Sequence, residues 1–122
     1  MNMDLSGLKV EDHPNLLGVP SGVRVEYFGR VPWPGYEADN PVPFCVLCPD
    51  HDNWHYRDFV LVVGIGGENE IVPITEVVRF RDGGTTEITT KQGTFMFPSP
   101  FRTELKPTFD GKPITVYPWN RS

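Results

Sequence analysis

Thirteen prolines and twelve glycines are spread along this chain, and they fall between its apolar runs rather than in a repeat. Proline lacks an amide donor and breaks a helix interior, while glycine weakens helix and strand alike. No stretch keeps a helical 3.6-residue period for more than a turn or two. A chain punctuated this often is built from short extended pieces joined by tight turns. Its 122 residues are one domain by length, enough to bury a core without disulfide or metal staples.

The alternation of apolar and polar residues predicts strands over 22–30, 43–48, 55–65, 70–81, 85–91, 94–97 and 114–117. In "GVRVEYFGR" (22–30), Val23, Val25 and Tyr27 share one face, and Arg24 and Glu26 the other. The run 55–65 turns fully apolar at "FVLVVGI", and "GGEN" (66–69) is a hairpin turn. Pro73 marks a bulge or edge position within 70–81. Four prolines make 31–43 a long loop, and 98–113 is irregular with an Asp110-Gly111 turn. The expected fold is all-β: a small barrel or two-layer sandwich of six to seven mostly antiparallel strands (22–122), preceded by an N-terminal arm (1–21). Its core is expected from Val23, Val25, Tyr27, Val60, Val62, Val78, Phe80, Ile88, Phe95 and Val116.

The net charge of −5 is unevenly placed. Residues 1–70 hold eleven acids and four bases, whereas 71–122 hold five acids and seven bases. Binding a phosphate backbone calls for a basic stripe, and none is present. An acidic half favours basic partners instead. The N-terminus lacks the basic and apolar regions of a signal peptide, and no apolar run is long enough to span a membrane. The expectation is a cytoplasmic protein whose two cysteines are thiols or ligands rather than a disulfide.

"FCVLCPDHDNWHYRDF" (44–59) is the densest chemical stretch. As a metal motif it reads Cys45-x2-Cys48-x2-His51-x3-His55, ligand types that zinc prefers. Zinc modules of this size place glycine-rich turns beside their cysteines. Here Val46 and Leu47, both strand formers, separate the thiols, and Pro49 follows. If 43–48 and 55–63 pair as a hairpin with Cys48 opposite His55, then Cys45 lies opposite Asp58 and on the other face. Only Cys48, His51, His55 and Asp50 or Asp52 could then meet at the tip. The hairpin without metal, and without any other cofactor, is the expectation. A Cys2His2 site and a three-ligand tip site are its rivals.

Other chemistry is weaker. Cys48 with His51 or His55 is the one candidate nucleophile–base pair, and an apolar strand cysteine is ordinarily core. "GIGGEN" (64–69) is followed by a strand, so it lacks the helix N-terminus a dinucleotide loop needs. Residues 71–97, "IVPITEVVRFRDGGTTEITTKQGTFMF", resemble the sheet pattern of LytTR-type DNA-binding domains, in which a strand, a turn and a T-x-x-G hairpin recur. The resemblance covers 27 residues and implies a DNA-binding module. The chain has no basic loop to enter a groove, and Arg79 and Arg81 are expected on a solvated strand face.

The tryptophans Trp33, Trp54 and Trp119 fall in loops or near a chain end, each within three residues of a tyrosine (Tyr36, Tyr56, Tyr117). Such rings either anchor partners or plug the ends of a small barrel. With the acids around them they define an expected partner-binding set: Trp33, Tyr36, Glu37, Asp39, Asp50, Asp52, Trp54, Tyr56 and Asp58. The expected function is a non-enzymatic binder, a small acidic inhibitor or adaptor that occupies a basic, nucleic-acid-binding type of surface on a protein partner. The rival is a planar small molecule or nucleotide held in a barrel mouth, with Arg30 and Arg57 as the nearby bases.

Overall fold

The computed structural model describes residues 5–10, 16–36, 40–50, 55 and 58–117. The fold is all-β. Twelve strands are formed among the described residues: β1 (Lys9–Val10), β2 (Leu16–Leu17), β3 (Val23–Val31), β4 (Val42–Pro49), β5 (Val60–Ile65), β6 (Glu68–Val72), β7 (Ile74–Arg79), β8 (Thr86–Thr90), β9 (Gly93–Phe97), β10 (Thr108–Phe109), β11 (Lys112–Pro113) and β12 (Thr115–Val116). They make a five-stranded sheet in the order β12-β3-β4-β5-β6, a second in the order β11-β10-β9-β8-β7, and the β1-β2 pair. All pairings are antiparallel. The sheets do not close into a barrel, because each five-stranded sheet ends in two open strands.

β4 is the middle strand of its sheet and is buried along its whole length. That is why "VPFCVLCP" shows no alternation: both faces of the strand are covered. Phe44, Val46 and Cys48 pack inward against Ile88, Phe95, Phe97 and Phe109 of the second sheet. Cys45 and Leu47 pack on the outer face with Leu8 and Leu16, supplied by the stretch expected to be an arm. Residues 5–10 and 16–17 thus form a third layer over the first sheet.

Two bulges reset the alternation that the sequence suggests. In β3 the register shifts between Val25 and Tyr27, leaving Glu26 as the extra residue. Val23 and Val25 therefore face outward to the β1-β2 layer, while Tyr27 turns inward and stacks on Phe97. The three do not share a face, since one inserted residue exchanges the faces beyond it. In β7 the shift lies between Ile74 and Glu76. Val77 consequently packs on the core, and Val78 and Phe80 are 37% and 44% exposed, contrary to their expected core positions. Of the remaining expected core, Val62, Ile88 and Phe95 are buried, and Val60 and Val116 are half-buried.

The run expected as one strand over 70–81 is two strands in different sheets. Pro73 is the crossing point, and β6 and β7 are each the end strand of their sheet. The hairpin between β5 and β6 turns on Gly66 and Gly67, with φ of 61° and 83°. Two successive left-handed residues make the tight turn whose twist suits a hairpin, and glycine adopts them without strain.

Candidate partner-binding face

Of the residues expected to bind a partner, four are described, and Trp33, Tyr36 and Asp50 among them lie apart. Trp33 is 5% exposed and lies against Phe95 and Phe109, at ring separations of 6.4 and 5.6 Å. It is a core residue. A large ring gains more by burial there than in water. Tyr36 is 43% exposed and lines a cavity of about 330 Å³ with Arg30, Asn40, Pro41 and Gly66. Asp50 is exposed at the far end of β4, its amide donating to the Gly22 carbonyl at 2.9 Å. Eight residues of β4 separate the Tyr36 side from Asp50, roughly 26 Å at about 3.3 Å per residue. Glu37, Asp39, Asp52, Trp54 and Tyr56 lie outside the described residues, as do His51, Arg57 and Trp119.

Asp58 builds a local turn. Its amide donates to the His55 carbonyl at 2.8 Å, and its Oδ2 accepts the His55 amide at 2.9 Å. β5 begins at Val60 rather than at residue 55. Cys45 then pairs with Val62 and Leu47 with Val60, not in the register that sets Cys48 opposite His55. The two thiols still face opposite ways, Cys45 into the outer cluster and Cys48 into the inner one. A single ion cannot be reached by both. Among the described residues no group of three His, Cys, Asp or Glu converges on a metal position.

Both thiols are held in their protonated form. Burial pushes Cys45 up to about 12. Cys48 is also raised, chiefly by burial, although the nearby Arg24 acts in the opposite direction. Its Sγ donates to Glu26 Oε2 at 3.8 Å. Glu26, placed by the β3 bulge, also pairs with Arg24 at 3.2 Å and with Arg79 of β7 at 3.3 Å. Arg79 Nε donates to Thr86 Oγ1 at 3.0 Å, so this arginine is drawn towards the sheet interface rather than displayed on a solvated strand face.

A groove of about 440 Å³ opens where β6 passes to β7. Phe59, Val72 and Val77 supply apolar walls, His55 and Glu76 polar ones, and Ile71 stands beside it at 59% exposure. Glu68, Glu70 and Glu76 are exposed on the same two edge strands. Sequence reasoning missed this corner. Its one signal was Pro73 in an extended run, which ends a strand's pairing as readily as it bulges it.

No helix among the described residues is long and apolar enough to cross a membrane. Comparison with family models, with curated proteins and with solved structures finds no match to this chain.

Proposed function

We propose that this protein is a non-enzymatic binding module, a small acidic inhibitor or adaptor that occupies a basic surface of a protein partner. The observation that carries this reading is the β6–β7 corner, where the exposed Ile71 and Glu76 line an apolar groove and Glu68 and Glu70 are exposed along the same edge strand as Ile71. An apolar anchor position beside like charges gives affinity from burial, and on-rate and partner choice from charge. This moves the expected binding face from the aromatic loops to the edge strands. The raised thiols weigh against the one candidate nucleophile, Cys48, since a cysteine nucleophile needs a lowered pKa. The inward pairing of Arg79 with Glu26 weighs against the DNA-binding reading, because it occupies one of the two arginines that reading needs.

The test is capture of partners by Glu70→Lys, Glu76→Lys and Ile71→Ser variants, with folding checked by far-UV circular dichroism. Salt-sensitive capture by the parent protein that each variant loses is the expected result. Undiminished capture by all three would refute the reading, as would salt-sensitive shifts of duplex DNA at low micromolar protein.

A second reading retains the planar ligand. With no barrel mouth present, its place is the cavity beside Tyr36 and Arg30, where a ring could stack on an exposed tyrosine near a fixed cation. Amide shifts confined to 29–43 and 64–66 on adding AMP would favour it over the corner groove.

A further inference from the structure

We infer that the partner is taken up at β6 as an added antiparallel strand, an extended segment in which Lys or Arg alternates with apolar residues. This rests on the binding-module reading and names the mode and chemistry of that binding.

β6 ends its sheet, so alternate backbone amides and carbonyls face away from β5. The other sheet ends are blunted in ways that discourage pairing. β11 and β12 are two residues each, and β7 carries a bulge at its start. β6 has five residues in an unbroken register with β5. It is the long, regular edge among the described strands.

What guards that edge is charge, and the charge is selective. Glu68 and Glu70 lie on one face of β6, opposite Ile65 and Val63 of β5. Asn69 and Ile71 lie on the other. A second copy of β6 pairing antiparallel would bring carboxylates together, and like charges on facing strands destabilise. A strand with Lys or Arg at those positions gains cross-strand pairs instead. On the opposite face the exposed Asn69 side chain donates to the Leu8 carbonyl, so that position is already tied to the β1-β2 layer. Ile71, two residues on, is left 59% exposed for an apolar side chain of the incoming strand. Backbone bonds would supply affinity, and alternate side chains specificity.

The experiment uses the whole protein and three synthetic peptides: alternating Lys and Val, alternating Glu and Val, and the Lys–Val peptide N-methylated at alternate amides so that one ladder edge is blocked. Amide shifts and hydrogen-exchange protection are read by NMR. The expected result is protection of β6 amides by the Lys–Val peptide and affinity on the order of tenfold weaker for the other two. The Glu68→Lys, Glu70→Lys double variant should reverse the preference towards the Glu–Val peptide. Equal binding of the N-methylated peptide, or shifts confined to the groove, would overturn strand addition while leaving the binding-module reading intact. A self-dimer that protects β6 would overturn the choice of occupant. Failure of all three peptides at β6, with the groove variants still losing captured partners, would likewise reject the inference alone.

Discussion

Arg79 of the second sheet holds Glu26 of the first at 3.3 Å, an ion pair that helps to tie together two sheets with separate backbone ladders. Glu26 reaches it because the β3 bulge places an extra residue there, and its other oxygen holds Arg24 at 3.2 Å. The side chains are 18% to 34% exposed, between a surface pair and a buried one. Losing one partner from a fully buried pair costs about 3–5 kcal/mol, and from an exposed pair under about 1. Glu26→Gln should therefore lower stability by about 1–2 kcal/mol, measured by urea unfolding. In a double-mutant cycle with Arg79→Met, a coupling energy near zero would show that the contact does not join the sheets.

Trp33 and Tyr36 stand three residues apart in one proline-rich loop and are expected to behave oppositely. Trp33→Ala empties a site among Phe95 and Phe109 and should cost about 3–5 kcal/mol. Tyr36→Ala removes an exposed ring and should change stability by less than about 0.5 kcal/mol. Thermal melts of the two variants measure both. A Trp33→Ala protein as stable as its parent would contradict the buried placement.

The Cys45 thiol gives an alkaline signature. Its ordinary value of 9.0 is pushed up to about 12 by burial. Between those values the unfolded chain releases a proton that the folded chain keeps, so stability falls as pH rises through this window. Below pH 9 the thiol is protonated in both states and contributes no slope. Cys45→Ala should flatten the decline of unfolding free energy above pH 9, leaving the part due to other raised groups such as Tyr27 and Cys48. An unchanged slope would mean that Cys45 ionises as freely in the folded protein. In the native state both cysteines should react with a thiol reagent only at the rate of opening.

How far these features were readable from the residues depends on how local their causes are. The strand over 43–48 and the turns at Gly66-Gly67 and Asp110-Gly111 follow from composition over a few residues, and those expectations match the structure. The bulges at Glu26 and after Ile74 leave no mark in the pattern, since Val23, Val25 and Tyr27 alternate as cleanly as an unbroken strand. Each bulge is fixed by pairing with a neighbouring strand, and its effect is to exchange inside for outside beyond it. That is why Val78 and Phe80 were expected in the core and are exposed. The corner groove is less local still. It requires β6 and β7 to belong to different sheets, and Pro73 marks a break in pairing without saying where the chain goes next. Trp33 fails in a similar way, because loop composition does not tell which surface the loop crosses.

Gly29 is where that long-range pairing is most sensitive. It lies opposite Val116, and β12 approaches so closely that a Cβ at this position would sit 1.9 Å from the Thr115 carbonyl oxygen and 2.9 Å from the Val116 Cα. Backbone atoms on a paired strand cannot rotate aside as a flexible side chain can, so Gly29→Ala must displace β12. Released with it are the bond from the Tyr117 amide to the Phe28 carbonyl, 2.8 Å, and the Phe28–Tyr117 ring contact at 5.5 Å. Overpacking of this kind costs about 1–3 kcal/mol. The expected outcome is a stability loss of that size with faster carboxypeptidase trimming through residues 115–117, while β6 amides keep their exchange rates at the other edge of the sheet. A variant as resistant to trimming as its parent would show that β12 does not pack on Gly29.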